Sequence, residues 1–214
     1  MSPYFVDIMP YVSMHSLPYG DIIYTLNKTL SMDIIFDIRK IKLIIGLGNI
    51  GKNYQKSRHN VGFLFIDMLT NSELKEDSKF EAFTENIEID GNKTILAKPT
   101  TLMNNSGRSV VKIADYFKIK PEEILVAHDD LDIELGEYKI QFSKGPRIHN
   151  GIISIEQNLG TPDFWRLRIG VDNRSPEQRE HMSGADYVLN PMNSSDYDKV
   201  NTTLEEVIGE IIKE

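Results

Sequence analysis

The sequence predicts an α/β protein, a single domain with a twisted, mixed and largely parallel β-sheet that helices cover on both faces. From residue 41 onward, short apolar runs typical of buried strands alternate with amphipathic helical patterns. Strands that alternate with helices favour parallel pairing, because each parallel connection needs a crossover. The chain has 214 residues, which suits one domain of this class.

Apolar runs bounded by turn residues define the predicted strands. They lie at residues 42–45, 80–89, 93–97, 124–127, 138–142 and 165–171. The second and third flank Asp90-Gly91-Asn92, a strong turn sequence, so we predict that they form a hairpin.

Four segments carry helical patterns, at residues 61–69, 107–117, 151–159 and from Ser195 onward. We predict that Ser106 caps the second helix, which Pro121 cannot continue, and that Gly160 ends the third. The last helix places an apolar stripe on one face, formed by Val200, Leu204, Val207 and Ile211.

Residues 1–40 differ from the rest of the chain, because they mix prolines with apolar residues and show no lasting periodicity. They lack the basic start and unbroken apolar core of a secretory signal, and they are too poor in arginine for a transit peptide. We therefore expect an extension at 1–40, with Met32 as an alternative start, ahead of one domain at 41–214.

The chain contains no cysteine, which excludes disulfides, thiolate metal sites and a cysteine nucleophile. No apolar run approaches the ~18 residues that a membrane helix needs, so we expect no membrane association. We expect a cytoplasmic monomer.

The formal net charge is −8 at pH 7, which by itself argues against a nucleic-acid partner. The basic residues are nevertheless grouped in segments that hold few acids, at 42–58, 98–120 and 139–168. We predict from this grouping a local basic face, suited to a partner whose phosphates touch part of the surface. The alternative is that each group is an ordinary solvated face.

Polar side chains follow several predicted strands, where an open α/β sheet collects its ligands. Two histidines, one carboxylate and four amides fall in these loops, at His59, His149, Asp129, Asn49, Asn60, Asn104 and Asn150. The chain has no Gly-x-Ser-x-Gly elbow for acyl-enzyme chemistry, so the nucleophile of a hydrolase here should be water. A histidine can act as the general base, Asp129 can orient its ring, and asparagine amides can donate to an oxyanion.

The first loop offers an alternative, because Gly46-x-Gly48-x-x-Gly51 matches a dinucleotide fingerprint. In that fingerprint the helix begins within the glycine loop, whereas here residues 52–57 intervene. We expect these glycines to serve a tight turn instead.

A metal site is a further alternative, since His128-Asp129-Asp130-x-Asp132 is rich in ligand atoms. The chain has no His-Glu-x-x-His motif, and Asp130 and Asp132 can belong to an exposed turn that ends at Gly136. We expect no metal and no other cofactor.

Six motifs, in this order, make residues 41 to about 190 resemble the bacterial-type peptidyl-tRNA hydrolase family. They are Gly46-Leu47-Gly48-Asn49-x-Gly51, Ser57-Arg58-His59-Asn60-x-Gly62, Pro99-Thr100-Thr101-x-Met103-Asn104-x-Ser106-Gly107, Ala127-His128-Asp129-x-Leu131-Asp132, His149-Asn150-Gly151 and Arg166-Leu167-Arg168-Ile169-Gly170.

Enzymes of this family cleave the ester between a stalled peptide and the 3′ ribose of its tRNA, without a metal. The resemblance implies that His59 is the general base and Asp129 its orienter. It implies that three amides bind peptide backbone and position water, namely Asn49, Asn104 and Asn150. It also implies that further residues bind the substrate, namely Tyr54, Asn60, Met103, His149 and Arg168. Of these, Arg168 would be part of a clamp for tRNA phosphate.

The chain departs from the family pattern in several places. Ile50 stands where proline is usual, residues 143–148 replace a glycine-rich stretch, and Ile153 stands where a basic residue is common. Lys144 and Arg147 can compensate as contacts to tRNA. The irregular loop also keeps open a second reading, an RNA-binding relative that has lost turnover.

Overall fold

The computed structural model describes residues 35–70 and 72–212, so most of the predicted extension lies outside the described residues. Within them, one sheet holds seven strands. Numbered along the chain, the strands are β1 Leu43–Gly46, β2 Lys75–Asp77, β3 Ala82–Ile89, β4 Asn92–Pro99, β5 Ile124–Glu134, β6 Tyr138–Phe142 and β7 Trp165–Asp172. Across the sheet their order is β2-β3-β4-β1-β5-β7-β6.

The centre of the sheet is parallel and its edges are antiparallel. Strand β1 pairs in parallel with β4 on one side and β5 on the other, and β5 pairs in parallel with β7. Strands β2 and β3 form one antiparallel edge, and β6 forms the other. The predicted hairpin is confirmed, with Ile89 opposite Asn92 across its turn.

The described residues form six α-helices, none of which is long and apolar enough to cross a bilayer. They are α1 Val61–Met68, α2 Ser106–Phe117, α3 Asn150–Leu159, α4 Pro176–His181, α5 Gly184–Leu189 and α6 Ser194–Ile211. Helices α1 and α6 pack on one face of the sheet, and α2 and α3 pack on the other.

Strand β1 supplies side chains to both cores, because alternate residues of a strand point to opposite faces. Ile44 lies in one core with Phe65 of α1. Leu43 and Ile45 lie in the other with Val110 of α2. The predicted α/β fold, with helices on both faces, is confirmed. The predicted apolar stripe of α6 is also confirmed, because all four of its residues are buried.

Some local predictions need correction. Strand β5 continues to Glu134, well past residue 127, because its polar residues find partners on neighbouring segments and can be buried. Ser106 does not cap α2 but lies within it, and its hydroxyl donates to the carbonyl oxygen of Met103 at 2.9 Å. Strand β2 and helices α4 and α5 were not predicted, because all three are short.

The packed domain begins before the predicted boundary at residue 41. The compact unit that holds the sheet starts at Phe36. The ring of Phe36 meets Trp165 edge to face at 5.0 Å between centroids, and Ile38 is buried in the core. Residues 36–40 therefore belong to the domain physically.

Glycines let α1 approach the ends of the central strands very closely. A Cβ atom at Gly46 would collide with the carbonyl oxygen of Gly62, and one at Gly62 would collide with that of Ala127. The start of α1 therefore lies directly against the ends of β1 and β5, which brings His59 beside Asp129.

This packing corrects the role predicted for the first glycines of the loop. Gly46 and Gly48 allow close packing against α1, and only Gly51 has a positive φ, at 117°. The helix starts at Val61, after residues 52–57, so the glycine loop does not lead directly into a helix. The loop therefore lacks the geometry of a dinucleotide-binding turn.

Candidate active site

A cleft of about 730 Å³ lies at the carboxyl ends of the central strands. The loops after β1 and β4, the buried strand β5, the loop before α3 and helix α5 all contribute to its walls. The structure brings together most of the residues predicted for the site, which are Asn49, Tyr54, His59, Met103, Asn104, Asp129, Arg147, His149 and Asn150.

His59 and Asp129 form the buried centre of the cleft. His59 lies in a short 3₁₀ turn over Arg58–Asn60, and its Nδ1 is 2.8 Å from Oδ1 of Asp129. Burial disfavours the charged imidazole, but the charge of Asp129 and this hydrogen bond leave the pKa of His59 above its ordinary value. Burial likewise opposes ionisation of Asp129, yet the two neighbouring imidazoles hold the pKa of its carboxyl far below its usual range.

His149 contacts the same carboxylate, and both of its ring nitrogens have hydrogen-bond partners. Its Nε2 lies 3.0 Å from Oδ1 of Asp129. Its Nδ1 accepts hydrogen bonds from the backbone N–H groups of Gly151 and Ile152, and so caps α3. Because backbone N–H groups only donate, Nδ1 carries no proton, and Nε2 must hold the proton that it donates to Asp129.

The third histidine, His128, points away from the cleft. It is fully buried, and its Nδ1 bonds the backbone carbonyl oxygen of Asp129 at 2.7 Å. Burial, together with His149, puts the pKa of His128 well below its ordinary value. Of the three histidines around Asp129, only His59 lines the cleft with a ring nitrogen, Nε2, that has no hydrogen bond within the described structure.

Asn49 is held so that its amide nitrogen can serve a ligand. Its side-chain oxygen accepts a hydrogen bond from the backbone N–H of Met103 at 3.2 Å. The side chain of Asn60 bonds both the backbone N–H and the carbonyl oxygen of Asn49, each at 2.9 Å. Asn60 does not line the cleft, so the structure gives it a positioning role in place of the expected substrate contact.

Arg168 also differs from its expected role as a phosphate clamp. Its guanidinium bonds Asp130 at 2.7 Å and Gln141 at 2.7 Å, and the residue is buried away from the cleft lining. Lys144 is exposed on the loop that forms one wall, outside the lining itself. Arg147, on the same loop, does line the cleft.

The predicted basic face is smaller than the sequence indicated, because many of its cations are paired with acids. The paired cations, with their partners, are Lys42 with Glu123, Arg58 with Asp196, Lys98 with Asp67, Arg108 and Lys112 with Glu81, Arg166 with Glu156, and Arg168 with Asp130. Among the described cations of the three basic segments, Lys52, Lys56 and Lys144 form no salt bridge.

Three side chains of the site carry atoms that could bind a metal ion, as the metal alternative requires. One atom from each of His59, Asp129 and His149 lies within 4.8 Å of the others, close enough to hold an ion. Both imidazoles, however, bond Asp129 through these atoms, and His149 must keep its Nε2 proton while it caps α3. The groups fit a hydrogen-bonded set better than a metal site. Asp130 is buried in β5, and not in the exposed turn that was expected.

The cleft also contains residues that sequence reasoning missed. Helix α5 contributes to one wall, and it follows β7 far along the chain, so no local signal connects it with the site. Apolar residues at the rim were missed as well, namely Leu102, Leu131, Pro146, Ile148, Val188 and Leu189. The sequence offered one signal for these rim residues, which is an apolar residue inside a polar loop, such as Leu102.

The free ring nitrogen of His59 and its carboxylate partner define the class of this protein. It is an α/β protein whose cleft holds a buried histidine–carboxylate pair, an arrangement that suits general acid–base catalysis by a hydrolase.

Comparisons with known proteins identify the family. The family model described as peptidyl-tRNA hydrolase matches residues 43–213, and the chain belongs to this family. Over 153 residues, the chain is 47% identical to the peptidyl-tRNA hydrolase of Francisella tularensis subsp. holarctica, covering 70% of this chain and 78% of that one. The peptidyl-tRNA hydrolase of Neisseria meningitidis serogroup C is 44% identical over 153 residues, which again cover 70% of this chain and 78% of that one. The crystal structure of peptidyl-tRNA hydrolase from Acinetobacter baumannii has a TM-score of 0.72 and 34% identity, covering 83% of this chain and 89% of that one.

Proposed function

We propose that this chain hydrolyses the ester bond between the peptide and the 3′ ribose of tRNA in peptidyl-tRNA. The products are a free peptide and a tRNA that can return to translation. The observation that carries the proposal is the single free ring nitrogen of His59, held in place by Asp129 at the base of the cleft.

In the proposed mechanism, Nε2 of His59 takes a proton from water, and the resulting hydroxide attacks the ester carbonyl carbon. The amide groups of Asn49 and Asn104 donate to the oxyanion, and Asp129 stabilises the imidazolium. The carbon–oxygen bond to the ribose then breaks, and the imidazolium returns its proton to the leaving 3′ oxygen. An ester suits this site, because an alkoxide leaves far more readily than an amine.

The remaining predicted residues have roles along the substrate. Tyr54, Met103 and Asn150 line the cleft and contact the peptidyl end. Lys144 and Arg147 lie on the loop at its edge and contact phosphates near the acceptor end of the tRNA. We further propose that the enzyme acts as a cytoplasmic monomer and needs no metal.

The test is release of peptide from a defined N-acetyl-aminoacyl-tRNA, measured with and without a chelator. Replacement His59→Ala should lower kcat by about 10²- to 10⁴-fold, the usual contribution of a general base. The matched control is His181→Ala, because His181 is exposed on α4 outside the cleft. We expect the chelator and the control to leave the rate unchanged.

Two outcomes would contradict the proposal. Tight binding of the substrate without release of peptide would favour the RNA-binding relative that has lost turnover. Loss of activity with the chelator, restored by a divalent cation, would favour the metal alternative.

A further inference from the structure

Three large apolar side chains are exposed around the opening of the cleft. Leu102 is 65% exposed, Ile148 is 82% exposed and Leu189 is 43% exposed, and all three line the same cleft. Single exposed apolar residues are ordinary on a protein surface. Three that converge on one opening indicate a binding surface for an apolar group.

These side chains come from three separate segments of the chain. Leu102 follows β4, Ile148 lies in the loop before α3, and Leu189 ends α5. No single local structure therefore places them together, and the tertiary fold creates the apolar surface.

The backbone that carries Ile148 is held in place, although its side chain is exposed. The preceding N–H, of Arg147, donates to the carboxylate of Asp132 at 3.1 Å. The guanidinium of Arg166 donates to the carbonyl oxygen of Gly145. The following residue, His149, caps α3 and bonds Asp129. The apolar side chain is thus presented by an anchored loop.

Two of the three apolar residues are direct neighbours of site residues. Ile148 precedes His149, and Leu102 precedes Met103, whose N–H orients Asn49. The apolar surface therefore lies close to the position of the ester carbonyl. The peptide side chain nearest that carbonyl belongs to the residue that is esterified to the ribose.

The charges of the lining disfavour an acidic side chain at this position. Arg147 of the lining is already paired with Asp132 at 3.4 Å, and Asp130 is buried and paired with Arg168. An acidic group would therefore find no unpaired arginine or lysine in the described lining, and an apolar group would cover exposed carbon.

We propose that Leu102, Ile148 and Leu189 form a subsite for the side chain of the esterified residue, and that the subsite selects apolar residues over glycine and over acidic ones. This inference rests on the proposed function and deepens it by naming the preferred substrate class.

The experiment charges one tRNA in turn with N-acetyl-leucine, N-acetyl-glycine and N-acetyl-glutamate, and measures kcat/KM for each. For the unmodified chain we expect leucine to exceed glycine by about tenfold, the lower range for a small apolar difference in a pocket. We expect glutamate to fall below leucine by at least as much. In Ile148→Ser, the leucine-to-glycine ratio should fall several-fold towards one.

The matched control is Ile153→Ser, because Ile153 is 40% exposed on α3 and does not line the cleft. Its leucine-to-glycine ratio should equal that of the unmodified chain. Equal rates on leucine and glycine, or an unchanged ratio in Ile148→Ser, would overturn the subsite alone. Absence of turnover with all three substrates would overturn the proposed function, and the subsite with it.

Discussion

One carboxylate oxygen of Asp129 contacts two imidazoles, and the two rings differ in what their other nitrogen does. In His149 the other nitrogen accepts hydrogen bonds from the backbone of α3, so the ring acts as a donor to Asp129. In His59 the other nitrogen faces the cleft without a hydrogen bond in the described structure. In the proposed mechanism, the same side-chain type thus gives one positioning residue and one general base, according to the backbone around it.

The acid limb of the pH–rate profile should report the pKa of His59, because only the neutral ring can accept a proton from water. Asp129 raises this pKa against the effect of burial. In Asp129→Asn the charge is lost while burial remains, so the acid limb of kcat/KM should move to lower pH. The plateau rate should also fall by about 10²-fold, because the ring loses its orienter.

The control for this profile is Asp163→Asn, an exposed carboxylate outside the cleft. Its acid limb should coincide with that of the unmodified chain. An acid limb that stays in place in Asp129→Asn would show that His59 is not the titrating base.

Two variants of His149 should separate the helix cap from the hydrogen bond to Asp129. Both variants remove the donor to Asp129, so both should lose the stability of a hydrogen bond to a charged group, about 1.5–3 kcal/mol, and both should lower kcat by about tenfold or more. Asparagine is a favoured N-cap residue, so the free energy of unfolding of His149→Ala should be lower than that of His149→Asn by about 1 kcal/mol. Urea unfolding and steady-state kinetics measure the two effects. Equal destabilisation of both variants would show that the imidazole does not cap α3.

At the scale of elements, the turn that carries His59 is fastened to helices far along the chain. Arg58 forms a buried ion pair with Asp196 in the first turn of α6, at 2.6 Å. The guanidinium also lies 4.0 Å from the ring centroid of Tyr187 in α5, and Arg174 lies 4.8 Å from the same ring. Asn173 completes the cluster with a hydrogen bond to Asp196 at 2.8 Å. Helix α5, which walls the cleft, is thereby joined to the catalytic turn.

Removal of Asp196 should be costly, because it would leave the charge of Arg58 buried and unpaired. We expect Asp196→Ala to lower the free energy of unfolding by about 3–5 kcal/mol, as measured by denaturant titration. The control is Asp198→Ala, an exposed residue of the same helix, which should change it by less than about 0.5 kcal/mol. Similar losses in both variants would mean that the ion pair does not stabilise this corner of the fold.

At the scale of the whole molecule, the parallel centre of the sheet decides where the chemistry lies. Strands β4, β1 and β5 are parallel, so their carboxyl ends lie at the same end of the sheet, and the polar residues that follow them converge there. The opposite end of the sheet carries the hairpin turn and Lys93. Because the net charge of the chain is −8, we propose that local cations at the opening of the cleft attract tRNA.

Affinity for tRNA should fall steeply as salt rises, because phosphate contacts release counterions. Replacement Arg147→Ala or Lys144→Ala should weaken binding and reduce the slope of log K against log salt by about one each. The control is Lys93→Ala, because Lys93 lies at the end of the sheet opposite the cleft. This variant should leave the slope unchanged. Binding that is insensitive to salt would contradict the contacts at the cleft edge.

Much of the fold could be predicted because its signals are local. The hairpin around residues 90–92, the buried stripe of α6 and the end of α3 at Gly160 each follow from periodicity or turn chemistry. The residue types in the loops after the strands also indicated a base, an orienter and amide donors. The structure places His59 and Asp129 together as that reading expects.

Other features depend on what lies opposite a residue in space, which periodicity does not contain. Asp130 is buried because Arg168 meets it from the next strand, and the same pairing withdraws Arg168 from the cleft. The side chain of Asn60 bonds the backbone N–H and carbonyl oxygen of Asn49, and so lies outside the lining of the cleft. The sequence by itself determined the class of fold and the kind of chemistry. Only the tertiary structure decided which polar side chains are used up in holding the protein together, because a buried polar group must satisfy its nearest partner first.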